Sequence, residues 1–111
     1  MTRRDLLSGS AGRRIDFDRV GAAGRRSAEA VVAAFLPDGR REGQEWVARN
    51  PRRPDKTLGS FKVNLVSGRW ADFASGDKGG DLVGLVAFLL ELSQRDAAIR
   101  LADALGVDAY E

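Results

Sequence analysis

Between residues 49 and 78 the chain interleaves cations with flat rings: Arg49, Arg52, Arg53, Lys56, Lys62, Arg69 and Lys78 with Phe61 and Trp70. Cations attract phosphates and rings stack on bases, so this mixture is the chemistry of single-stranded nucleic-acid binding. Trp70 is the ring expected to stack. The rival reading places Phe61 and Trp70 in a core and leaves the cations to keep a strand edge soluble.

Two other chemistries are suggested by the residues that follow. Asp72, Asp77 and Asp81 lie close together, as a divalent-metal or acid–base site would require. The segment "GDKGGD" at residues 76–81 combines backbone N–H groups with a lysine before a helix, as a phosphate cradle does. Asp81 is already explained as a helix cap and Asp77 as a turn residue, and no histidine or nucleophile accompanies them. The glycine pattern matches neither the Walker nor the dinucleotide fingerprint, and its aspartates repel phosphate. Neither catalysis nor nucleotide binding is expected.

Composition narrows the choice further. Among 111 residues there is no Cys and no His, which excludes disulfides and removes the preferred ligands of zinc, copper and iron–sulfur sites. No cofactor is expected. The net charge of +2 conceals an asymmetry: residues 1–69 carry 15 Lys and Arg against 8 Asp and Glu, and residues 70–111 carry 3 against 8. One end is therefore suited to anions. With no apolar run of spanning length and no secretory pattern at the start, a cytoplasmic protein is expected, with no membrane partner.

The elements that must position these residues form an α+β pattern. Residues 1–25 mix Arg, Gly and Ser with little periodicity and are expected to be a flexible basic arm, with order only around "IDF". The domain proper then runs over residues 26–111. Ser27 is placed to cap one N-terminal helix through "AEAVVAAFL", which ends at Pro37. "QEWVARN", "SFKVNLV" and "RWADF" alternate as strands, with Phe61, Val63 and Leu65 on one face and Lys62 and Asn64 on the other. In "RWADF", Trp70 and Asp72 share a face, opposite Arg69, Ala71 and Phe73. Asp81 caps an apolar helix at residues 82–92, and Ser93 opens a last helix that Gly106 ends.

From about residue 46 to 106 the order of these pieces resembles the CHC-type zinc-ribbon domain at the front of bacterial and phage DNA primases. In that family a Cys-Pro-x-His pair, a Thr-Pro-Ser-Phe strand, a Cys-Phe-Gly-Cys knuckle and a Gly-Gly-Asp turn lead into an apolar helix. Here "NPRR" stands at the first pair, "KTLGSFKV" at the strand and "DFASGDKGGD" at the knuckle and turn. The metal-ligand positions are thus held by Asn50, Arg53, Asp72 and Ser75. The chain is more similar still to cysteine-free segments that begin phage and plasmid primase or primase–helicase polypeptides.

The resemblance implies a small, metal-free ribbon-like sheet packed against C-terminal helices and one N-terminal helix. It also implies a module of a replication system that holds single-stranded DNA template, while a separate catalytic domain makes primer. The partners implied are that DNA and a primase catalytic domain or a helicase. Two rivals remain: a protein-interaction module, marked by an exposed apolar patch on the helix at 82–92, and a metal-dependent nuclease using Asp72, Asp77 and Asp81. A structural zinc contributes about 10 to 16 kcal/mol, whereas an Arg53–Asp72 pair with bonds from Asn50 and Ser75 would give about 1 to 3 kcal/mol. The apolar helix at 82–92 is therefore expected to carry the stability.

Overall fold

In a computed structural model, which describes residues 13–52 and 60–111, the chain folds as a five-stranded antiparallel meander covered by four helices. Among the described residues two helices come first, α1 (Phe17–Arg26) and α2 (Ala28–Phe35). The strands β1 (Arg40–Glu42), β2 (Glu45–Ala48), β3 (Phe61–Asn64), β4 (Trp70–Asp72) and β5 (Lys78–Gly79) follow, each paired with its neighbour in sequence. Helices α3 (Leu82–Leu90) and α4 (Gln94–Leu105) close the chain.

The strand register separates two faces. Trp46, Val63, Trp70 and Gly79 form one cross-strand row, and Ala48, Phe61 and Asp72 another, both facing the helices. On the other face one row runs Arg40, Val47, Lys62, Ala71, Lys78 and a shorter one Glu42, Glu45, Asn64. This is the alternation expected of "SFKVNLV" and "RWADF", because successive side chains leave a strand on opposite sides. Gly79 lies so close to Trp70 that an added Cβ would come within 2.5 Å of the indole.

Helix α3 is the centre of the core. Asp81 caps it, its Oδ1 accepting from the Gly84 N–H at 2.7 Å, and Leu82, Val83, Leu85, Val86 and Ala87 are all buried. An element apolar on nearly every side needs cover in several directions. The sheet meets it through Phe88, while α1, α2 and α4 pack on its other sides. The contact with α1 is close: a Cβ on Gly24 would stand 3.4 Å from both Leu82 and Leu101.

The N-terminal part departs from expectation. The reading of residues 1–25 as a flexible arm fails for those described, since Phe17–Arg26 is a helix capped by Asp16 and buries Val20 and Ala23. The face it buries is made of Val20, Gly21, Ala23 and Gly24, and two glycines within ten residues argue locally against a helix. Ile15 pairs with Tyr110, the Asp16 N–H donates to Ala109 O at 2.8 Å, and Arg19 Nη1 donates to Tyr110 O at 2.7 Å. Among the described residues there are accordingly two N-terminal helices, not one, and Ser27 makes no side-chain cap, serving instead at the junction between them.

Because Leu85 is wholly buried in α3, Leu85→Ala should lower unfolding free energy by about 2 to 5 kcal/mol in urea titrations. A loss under about 1 kcal/mol would show that α3 does not anchor the core.

Candidate nucleic-acid interface

At the ribbon's tip, two of the four ligand-position residues meet directly. Asn50 Nδ2 donates to Asp72 Oδ2 at 2.8 Å, and these two are the only buried polar side chains among the described residues, 2% and 1% exposed. Asn50 Oδ1 accepts from the Arg52 N–H at 2.9 Å, which shapes the first loop. Asp72 Oδ1 accepts from the N–H groups of Ala74 (2.9 Å) and Ser75 (3.3 Å), which shapes the second. Ser75 Oγ donates to Asp77 Oδ2 at 2.8 Å. Arg53, the expected partner of Asp72, lies outside the described residues, as does Lys56.

An amide, a carboxylate and a hydroxyl so arranged do not suit zinc, which takes thiolates and imidazoles. Asn50 and Asp72 already spend their polar atoms on each other and on the loop backbone. Among the described residues no group of three or more His, Cys, Asp or Glu could hold a metal. Asp72 braces the second loop, Asp77 takes the Ser75 hydroxyl and Asp81 caps α3, so the three carboxylates are not gathered as a nuclease centre would need.

The cations divide into groups. Lys62, Arg69 and Lys78 line one hollow of about 660 Å³ on the outer sheet face, together with Glu45, Asn64, Ala71 and Phe73. Lys62 Nζ stands 5.9 Å from the centre of the Phe73 ring. Arg52 is committed elsewhere: its guanidinium lies 4.8 Å over Phe88, with Nη1 donating to Phe88 O (3.2 Å) and Nη2 paired with Glu91 Oε1 (3.0 Å). That clasp ties the first loop to the end of α3 and withdraws Arg52 from the expected phosphate contacts. Arg49 is exposed but borders a separate hollow with Phe35, Leu36 and Pro51.

Trp70 does not present a stacking face. It is 6% exposed, its ring lies 5.0 Å from Phe88 and 5.9 Å from Phe61, and its Nε1 donates to Asp81 O at 3.1 Å. With two aromatics beside it and Gly79 closed against the indole, a ring so buried leaves nothing for a base, so the rival reading of Phe61 and Trp70 as core holds. The exposed ring on the outer sheet face is Phe73, at 73%. Its position opposite Trp70 and Asp72 in the alternation was the signal that could have found it. Helix α3 lacks the apolar patch expected of an interaction module, since only Leu90 on it is exposed, at 37%.

An antiparallel ribbon with two knuckle loops, a glycine turn and a capped apolar helix, without cysteine, defines an α+β fold of the primase zinc-binding type. The chain is similar to the crystal structure of the Aquifex aeolicus primase, zinc-binding and RNA polymerase domains, at 26% identity and a TM-score of 0.67. The match covers 86% of this chain and 22% of that one, so the chain spans under a quarter of its neighbour's length. No protein-family model matches the chain, and no curated protein does. Among the described residues no helix is long and apolar enough to cross a membrane.

Asn50→Ala should lower stability by about 1 to 3 kcal/mol, because it strips a bond from a buried carboxylate. Excess EDTA should leave the melting temperature unchanged, and a fall on chelation would reveal a metal in the fold.

Proposed function

We propose that the chain is a nucleic-acid-binding module of a DNA replication or priming system, holding single-stranded DNA on the outer face of its sheet and catalysing nothing itself. The observation that carries this reading is the convergence of Lys62, Arg69 and Lys78 around the exposed Phe73 in one open hollow. Cations at the rim hold phosphates, and the ring offers a base its π-face. The likeness to a primase domain supports a primase-associated role and suggests that primer synthesis requires a separate catalytic domain.

A second reading, docking to a primase, helicase or other protein, is favoured by a different surface. An apolar hollow of about 480 Å³ lies along α4, lined by Leu92, Ile99, Val107 and Tyr110. It lies away from the cationic face, so the two readings are compatible.

Fluorescence anisotropy of labelled single-stranded DNA across a salt series tests the first reading. Dissociation constants of roughly 1 to 100 µM that weaken log-linearly with salt are expected. Lys62→Glu with Lys78→Glu should abolish binding, and Phe73→Ala should cost about 1 to 3 kcal/mol. Arg52→Ala should lower the melting temperature and leave the salt slope intact. Absence of binding at low salt, or binding indifferent to the Lys62, Lys78 and Phe73 changes, would refute the proposal.

A further inference from the structure

At one end of the cationic face, Glu45 and Asn64 are direct cross-strand partners. Asn64 Oδ1 accepts two backbone N–H groups, from Val66 and Ser67, both at 2.9 Å. This occupies both lone pairs and fixes which way the amide faces, with Nδ2 turned away from the β3–β4 turn. Among the described residues neither Asn64 Nδ2 nor the Glu45 carboxylate has a hydrogen-bond or ion-pair partner. Both side chains are half-buried in the wall of the hollow that holds Lys62, Arg69 and Phe73.

The turn needs only the Oδ1 acceptor, which aspartate supplies equally well. A carboxylate in a hollow whose other charged groups are Lys62, Arg69 and Lys78 also weakens the attraction for phosphate. The fold therefore leaves a donor and a two-lobed acceptor side by side without a structural task.

We propose that Glu45 and Asn64 read a guanine within the bound single strand, a proposal that rests on the nucleic-acid reading above. The Watson–Crick edge of guanine sets the O6 acceptor beside the N1–H and N2–H donors. The carboxylate of Glu45 accepts from both nitrogens, and Asn64 Nδ2 donates to O6. Thymine sets a carbonyl against the carboxylate. Cytosine offers one amino group and two acceptors. Adenine in either orientation gives the carboxylate at most one nitrogen. Lys62 and Arg69, in the same hollow, take the flanking phosphates, and Phe73 stacks on a neighbouring base.

Labelled oligothymidylates that differ only at one central base test this by anisotropy. A central guanine should bind about tenfold tighter than adenine or cytosine, as a good bidentate base contact does. Central inosine, which lacks the N2 amino group, should lose most of that advantage. Glu45→Gln and Asn64→Asp, the latter keeping the acceptor for Val66 and Ser67, should each bring the guanine-to-adenine ratio to within about twofold, with thermal melts confirming that the fold is intact.

Equal affinity for all central bases would overturn the guanine assignment and leave the nucleic-acid reading standing. A guanine preference that survives both substitutions would place the reader elsewhere and overturn the assignment to these residues. Binding of none of the strands would refute both proposals. Free GMP should fail to compete at the strand's own concentration; equal competition would refute recognition within a strand.

Discussion

The bond from Asn50 to Asp72 joins two loops that enter the ribbon from opposite directions, and each partner also fixes its own loop through backbone N–H groups. Where a metal would hold four ligands by coordination, a buried amide–carboxylate pair here holds two loops by hydrogen bonds. A bond to a buried charged group contributes about 1.5 to 3 kcal/mol, far below the roughly 10 to 16 kcal/mol of a structural zinc. The pair sets geometry more than stability. Removing either partner leaves the other buried and undersatisfied, so the arrangement persists only as a unit.

What the loops do not supply, the core does. Phe61, Trp70 and Phe88 form a cluster between sheet and helix, closed on one side by the Arg52 guanidinium. Arg52 thereby joins the first loop to α3, and Trp70 is spent on the interior. The surface chemistry falls to the opposite face of the same strands, where Lys62, Ala71 and Lys78 share a row. Strand alternation thus divides one short segment into a structural half and an exposed half, residue by residue.

That division was legible in the sequence wherever alternation was strong. Phe61 and Val63 against Lys62 and Asn64, Asp81 as a cap, Ser93 and Gly106 at the ends of α4 all stand where local patterning places them. The inward turn of Trp70 was visible in its pairing with Asp72, yet an aromatic beside arginines suggests a binding ring until packing is known. The fate of Arg52 depended on Phe88 and Glu91, more than thirty residues away, and no local pattern carries that information. The α1 helix escaped notice for a related reason, since its contact with α3 and α4 runs through Val20, Ala23 and Gly24 and not through a stripe of large side chains.

The pairing of Ile15 with Tyr110, reinforced by Arg14, Asp16 and Arg19 against the last residues, brings the two ends of the described chain to one place in the helical layer. A domain whose ends meet behaves as a plug-in unit: polypeptide added at either end departs from the same edge. The described domain is thus entered and left through one edge, so that its two ends make a single joint.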